Sequence, residues 1–389
     1  MRLSKKYWFA LTSKFLLILL TLLSSIIINR GLGVEKKGDY AYVMNLVEIF
    51  YILGGVGLGQ AYSTFKRNHS NEYQNKFVVL TFIQGLLFGI IGLIIVLADV
   101  PIDYGGVIIV LSSLSIMRTN LTMIAVIENS IKRNKIVLGV SVVYSIMLVL
   151  LLLFHLVSIE MVFLVYAINE FLRIILFLYY YNMFPIFEHI SIKEFFTIYK
   201  FGFLSMILTL LITFNYSIDI IMLKQMSSSY NVGIYSVAVT FSNMFLMVPD
   251  SFKEVLFGDS AKRTFEKNKA INAIKVSFLF MILLIIGFLS FGEFAITLLY
   301  GSSYIKAFPI TLVIFLGSLS LIFFKILQPI YISQGKQSVA IKILSVSALI
   351  NISLNWYLIP NYQITGAAIA SAISYTVCGL FFIIDYLRN

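Results

Sequence analysis

Twelve stretches of predominantly apolar residues fill most of this 389-residue chain. Each approaches the roughly 20 residues that a helix needs to cross the hydrocarbon core of a bilayer. They run approximately over 8–29, 41–61, 77–98, 106–127, 136–157, 161–182, 201–223, 233–253, 272–299, 306–328, 338–359 and 366–386. Runs such as LVLLLLFHLV at 148–157 are continuous rather than alternating, which selects helices over a barrel of strands. Short turn signals separate them, among them Gly31, Gly33, the PIDYGG at 101–106, Pro185, Gly301 and Pro360-Asn361. Only 12% of residues are charged and 60% are hydrophobic, too little polar surface for a water-soluble domain and too little charge for a disordered one. The expected fold class is therefore all-α: a polytopic membrane protein of twelve transmembrane helices. The basic start and first apolar run resemble a signal peptide, but Lys14 interrupts the run and no small-residue cleavage site follows. The segment is expected to remain as the first span.

The net charge of +11 would suggest nucleic acid in a soluble protein, whereas in a membrane protein it follows from positively charged cytoplasmic loops. With a cytoplasmic N-terminus, inside segments carry twenty Lys and Arg and outside segments five: Arg30, Lys36, Lys37, Lys224 and Lys306. This bias predicts a multi-pass protein with both termini in the cytoplasm, and no nucleic-acid partner. The single Cys378 cannot form an internal disulfide.

Gly38-Asp39-Tyr40 follows the first span and Gly233-Ile234-Tyr235 the seventh, an offset of 195 residues that also sets Gly54 against Pro249. Six spans per half bring both halves into the membrane in the same direction. The expected organisation is two six-helix lobes related by a parallel repeat. The N-terminal lobe is placed at 1–184, an amphipathic connector at 185–200 with Pro185, His189, Lys193 and Glu194, and the C-terminal lobe at 201–389.

Catalytic chemistry is sparse. His69, His155 and His189 lack metal-ligand spacing, no Walker A loop is present, and external segments are short. Gly54, Gly55, Gly57 and Gly59 sit in an apolar span, where close helix packing explains them better than a nucleotide fingerprint. The chain is read as no enzyme, with no cofactor and no metal.

The information lies in charges inside spans, which usually face a bundle interior or a wet cavity. Arg118 and Arg173 fall near the midplane of spans four and six, while Lys14 and Lys325 lie closer to span ends and can snorkel. Ser115, Arg118, Thr122 and Asn129 share a face of span four; Thr209, Thr213 and Tyr216 form a stripe in span seven, with Asp219 one turn on. Such stripes suit a lined cavity, or hydrogen bonds that hold helices together. Glu170 and Arg173, spaced i, i+3, are expected to pair, leaving Arg118 without an acidic partner on its own helix. An arginine fork suits phosphate. Glu48 and Asp219, nearer span ends, suit proton or cation coupling, or are water-exposed rim charges.

With these residues assembled, the chain resembles a Wzx-type polysaccharide flippase of the multidrug/oligosaccharidyl-lipid/polysaccharide (MOP) exporter superfamily. The resemblance spans essentially the whole chain: Lys14 in span one, NRGLGVEKKGDYAYVMNLVEIFYILGGVGLGQAY at 29–62, Asp219 with NVGIYSVAVTFSNMF at 231–245, LLYGSSYIKAFPITLVIFLGSL at 298–319, GKQ at 335–337 and NISLNWYLIPNYQITGAAIASAISYTVC at 351–378. It implies two lobes around a cavity that opens alternately to either side. The implied cargo is a polyprenyl-pyrophosphate-linked oligosaccharide, an O-antigen or capsular repeat unit, with membrane lipid and other polysaccharide-assembly membrane proteins as partners. Arg118, Arg173, Lys14, Lys325, Thr122 and Tyr216 are the expected cavity residues, and Asp219 and Glu48 the expected ion- or proton-coupling residues. The rival is a multidrug or organic-cation antiporter of the same superfamily, which would want unpaired carboxylates at mid-depth. A membrane scaffold or transferase is the reading from another class.

Overall fold

A computed structural model describes residues 5–68, 73–97, 104–186, 190–252 and 267–388. His69, His189, residues 253–266 and the side chain of Lys14 lie outside the described residues. The helices are α1 (Lys5–Gly55), α2 (Leu58–Asn68), α3 (Tyr73–Leu97), α4 (Gly105–Leu153), α5 (Ile159–Tyr181), α6 (Ile192–Met226), α7 (Ser229–Phe245), α8 (Lys267–Tyr300), α9 (Ala307–Ser333) and α10 (Gln337–Arg388).

Eight of these are long and apolar enough to span a membrane. Three are two spans joined without a loop. In α1 the join is Gly33, at φ 72°, a backbone region glycine enters without the Cβ penalty. In α4 it is Asn129, whose extended backbone (φ −159°, ψ 94°) interrupts the helix. Its Oδ1 accepts from the Lys132 amide at 3.1 Å, the geometry of an N-cap, while Tyr181 Oη donates to its carbonyl at 2.6 Å. In α10 the join is Gln363 (φ 48°), three residues after Pro360. The twelfth span is α7, continued past a turn at Leu246 by helical residues 247–252. The twelve-span, all-helical reading therefore stands, although Lys36 and Lys37, read as loop residues, belong to the opening turns of a helix.

The surface is that of a lipid-facing protein. On α3, Leu86, Leu87, Ile90, Leu93, Ile94 and Leu97 are all exposed, Leu97 at 76%. A contiguous apolar face of this size on a helix long enough to span suits hydrocarbon.

Contacts divide the chain into two compact units: Met1–Gly33 with Leu46–Leu210, and Val34–Asn45 with Leu211–Asn389. The first unit's core gathers Leu58 and Tyr62 of α2, Phe77 of α3, Leu121 and Ile124 of α4 and Phe177 of α5. At the entrance to α6, Ser191 and Glu194 form a capping box: the Glu194 amide donates to Ser191 Oγ (3.2 Å) and the Ser191 amide to Glu194 Oε2 (3.0 Å). Lys76 also donates to Glu194, at 3.1 Å. From there α6 runs unbroken to Met226, so residues 192–200 are the opening turns of span seven.

In the second unit, segment 34–45 packs on α7 backbone to backbone. A Cβ on Gly38 would lie 1.8 Å from the Ser229 carbonyl oxygen, and one on Gly233 would lie 2.0 Å from that of Val34. The contact is reciprocal at one offset, since 34 and 229, like 38 and 233, are 195 residues apart. Lys224 Nζ donates to Asp39 Oδ1 and to Ser229 Oγ, both at 2.5 Å, and Ser229 Oγ donates to Asp39 at 2.7 Å.

Candidate functional site

Two polar centres stand out, one in each unit. The first is built on α4 and α5. Arg118 and Ser115 are one helical turn apart and both reach Glu170 of α5: Arg118 Nε donates to Glu170 Oε2 at 2.5 Å, and Ser115 Oγ donates to the same oxygen at 3.2 Å. Glu170 is 1% exposed and the Arg118 side chain 18%. Arg118 thus finds on α5 the acidic partner that its own helix lacks. The expected pairing of Glu170 with Arg173 gives way for the same reason, because Glu170 is turned to α4. Arg173 instead donates from Nη2 to Ser141 Oγ at 3.2 Å, and its Nε is buried without an acceptor. Tyr51 and Tyr166 lie within electrostatic range of Arg118, and Glu48 within that of Tyr51.

The geometry leaves anion-binding capacity. Glu170 engages Arg118 through Nε alone, and among the described residues its terminal Nη donors take no protein partner. Of the two guanidiniums, only that of Arg118 is bonded to a carboxylate among the described residues. Thr122, placed on the same stripe, bonds back to the Arg118 carbonyl at 2.6 Å, a local bond available to any helical threonine.

The second centre surrounds Asp219 of α6, which is 0% exposed. The reading of a water-exposed rim charge is therefore wrong. Its Oδ2 accepts from Tyr235 Oη of α7 at 2.7 Å and from Ser371 Oγ of α10, and its Oδ1 accepts from Asn355 Nδ2 at 2.8 Å. The network continues from Asn355 Nδ2 to Asn351 Oδ1 (2.9 Å) and from Asn351 Nδ2 to Ser374 Oγ (3.2 Å). Nearby, Ser347 Oγ donates to Asn215 Oδ1 at 2.5 Å. All of these side chains are buried, and Asn355 Oδ1 has no hydrogen-bond partner. No cation lies within salt-bridge distance of Asp219 among the described residues. A buried carboxylate tolerates this only when hydrogen-bonded, protonated or bound to an ion.

Lys325 and Tyr216 also come together in the second unit. Lys325 Nζ lies 3.1 Å from Asp250 and 5.1 Å from the Tyr216 ring centroid, a cation–π distance. The Lys325 side chain is 15% exposed, less than that of its partner Asp250 at 34%. Tyr216 Oη is buried without a partner. Glu48 is half-buried.

Sequence reasoning missed Tyr235, Asn351, Asn355, Ser371 and Ser141. The signal for the second centre was present: Ser347, Asn351 and Asn355 recur every fourth residue on one helix, as do Asn215 and Asp219 on another. The same face-counting that singled out Arg118 finds them.

A family model described as a polysaccharide biosynthesis protein matches residues 3–257, and one described as the lipid II flippase MurJ matches 251–388. No curated protein matches by sequence. Among solved structures, a lipid II flippase MurJ in an inward closed conformation superposes with a TM-score of 0.79 at 15% identity, over 98% of this chain and 87% of that one. A mutant of the Vibrio cholerae MATE transporter VcmN gives 0.67 at 13% identity, over 99% and 95%. A MOP superfamily transporter from Pyrococcus furiosus gives 0.68 at 12%, over 97% and 92%. At these identities the structures show the shared fold. The family match covers well over half the chain, which therefore belongs to the polysaccharide biosynthesis protein family, and its fold is one shared with the lipid II flippase MurJ and with transporters of the MOP superfamily.

Proposed function

We propose that this chain moves a polyprenyl-pyrophosphate-linked oligosaccharide, an O-antigen or capsular repeat unit, from the cytoplasmic to the outer leaflet of a bacterial inner membrane by alternating access. The observation that carries the reading is the pair of arginines in mid-span: Arg118 meets a carboxylate through Nε alone, and Arg173 bonds only a serine hydroxyl among the described residues, so both have donors to spare. A pyrophosphate supplies the missing acceptors, and a planar fork binds it bidentately. The match to polysaccharide biosynthesis proteins and the fold shared with a lipid II flippase support the same cargo class. Lys325 and Tyr216 serve in the second unit, with Asp250 partly neutralising the lysine. The excess of Lys and Arg on alternate loops supports a topology with both termini in the cytoplasm.

Asp219 is the coupling residue in this account. Its enclosed shell of hydroxyl and amide groups fits a proton or a small inorganic cation, and Glu48 is the candidate in the first unit. A buried carboxylate without a cation is also what an organic-cation antiporter wants, and the MATE neighbours keep that second reading open. The closed packing of Tyr235, Ser371 and Asn355 around Asp219 argues against an organic ligand there.

The test is export in cells. Arg118→Ala and Arg173→Ala should each abolish surface glycan, with Glu170→Ala, which breaks the same ion pair but keeps both arginines, retaining export as the control for lost stability. Normal glycan with either variant overturns the pyrophosphate role of that arginine. Transport in proteoliposomes that ignores both proton and sodium gradients would remove the coupling roles of Asp219 and Glu48.

A further inference from the structure

The most strained backbone in the first unit lies where α1 gives way to α2. Val56 has φ 44° and Gly57 φ 62°. A left-handed conformation is natural for Gly57 and costly for a β-branched valine, so neighbouring structure must hold Val56 there. Two sets of contacts do so. The first is a close backbone approach to α6: a Cβ on Gly57 would lie 2.2 Å from the Gly202 carbonyl oxygen, and one on Gly202 would lie 2.4 Å from that of Val56. The second is a chain of side-chain amides. The Gly59 amide, an otherwise orphan donor in the first turn of α2, bonds to Asn120 Oδ1 of α4 at 3.1 Å. Asn120 Nδ2 bonds to Gln84 Oε1 of α3 at 3.3 Å, and Gln84 Nε2 to Tyr199 Oη of α6 at 3.0 Å. Asn120 and Gln84 are both buried. The chain therefore joins four helices at the break and ends on the opening turns of α6.

The sequence here is GGVGLG, with glycine at 54, 55, 57 and 59. A bend alone needs one glycine, at 57. Gly54 and Gly59 serve packing, since a Cβ on either would press to 2.5 Å on Ile116 and 2.8 Å on Met123 of α4. With four glycines the segment can take a bent or a helical backbone. The only residue opposing the bend is Val56.

We propose that Val56–Gly57 is a two-state hinge in span two, held bent by the Gly59–Asn120–Gln84–Tyr199 chain and biased toward straightening by Val56. In the straight state α1 and α2 form one helix, Val56 returns to ordinary helical φ, Gly59 leaves Asn120, and the Gly57–Gly202 contact opens. The opening turns of α6 are then released from α3 and α4. The inference rests on the reading of the chain as an alternating-access transporter, and it names where span two bends during that cycle.

The test measures the bend directly and needs no cargo. Nitroxide labels on Phe50→Cys and Ser63→Cys, both at exposed positions, report across the break in a Cys378→Ser background. A straight helix sets the two backbones about 20 Å apart, from 1.5 Å per residue, and the bend shortens this. Full-length protein in nanodiscs should show a short and a long population. Val56→Gly removes the penalty for the bend and should deplete the long population several-fold. Asn120→Ala removes the clamp and should enrich it. One unchanged distribution in all three proteins, or a shift of both variants in the same direction, overturns the hinge. If Asn120→Ala does not fold, the Val56→Gly shift alone decides. Two populations with the expected shifts, alongside normal glycan export by Arg118→Ala, would uphold the hinge while refuting the cargo reading.

Discussion

Replacing Glu170 exposes the electrostatics of the first centre. In Glu170→Ala the Arg118 guanidinium loses its acceptor at 2.5 Å and Ser115 loses its acceptor at 3.2 Å. Breaking a buried ion pair from one side costs about 3–5 kcal/mol, because a charge is left uncompensated. Water reaching the 18%-exposed Arg118 side chain moves the expectation to the lower end, about 3 kcal/mol, or roughly a hundredfold in the folding equilibrium. Glu170→Gln keeps the volume and an acceptor oxygen but loses the charge, and should cost about 1–2 kcal/mol. Replacing both partners, Arg118→Met with Glu170→Met, should recover most of the loss, since a packed apolar pair carries no desolvation penalty. The assay is reversible unfolding in mixed micelles, read as a double-mutant cycle. A Glu170→Ala loss below about 0.5 kcal/mol, the scale of a surface substitution, would refute the ion pair as a buried structural element. Strictly additive single and double substitutions would refute it equally.

Three further outcomes follow from the packing. Gly38→Ala and Gly233→Ala should each destabilise the second unit, because the new methyl meets a backbone carbonyl that cannot turn away; Gly287→Ala, with open space around it, should instead gain about 0.5–1 kcal/mol, and thermal unfolding of the three variants checks the contrast. Glu194→Ala removes half of a capping box and the partner of Lys76, so it should cost about 1 kcal/mol, measured by the same unfolding. Asp219→Asn should leave the protein folded, since the amide can keep hydrogen bonds to Tyr235 and Ser371, but should abolish any dependence of transport on a proton or sodium gradient, read by flux in proteoliposomes with and without an imposed gradient.

Span number was legible in the sequence because hydrophobic length is a one-dimensional property: about 20 apolar residues cross a bilayer wherever they fall. Joins were less legible. Gly33 carries a turn within a helix that reads as a loop from NRGLGVEKKGD, and Asn129 breaks α4 only because its own side chain and Tyr181 satisfy the interrupted backbone. Helical spacing placed Ser115 and Arg118 on one face correctly, yet could not say that Glu170 turns to α4 rather than to Arg173 three residues away. Pairing across helices depends on their rotation, which i, i+3 arithmetic does not contain. Asp219 shows the same limit for depth. Counted along the helix it lies near an end, whereas Tyr235, Asn355 and Ser371 close around it in space. Charge type and spacing picked out Arg118 and Asp219 as polar positions inside spans, and packing decided their partners.

The central claim is that the arginines of the first unit receive a pyrophosphate. Its most direct test is translocation of a polyprenyl-pyrophosphate-linked oligosaccharide in proteoliposomes, followed by accessibility of the sugar to an external lectin. The account predicts movement by the wild-type protein and loss of movement in Arg118→Ala and Arg173→Ala, with unchanged reconstitution. Equal movement in the wild type and both variants, or none in the wild type while an organic cation is transported, would contradict it.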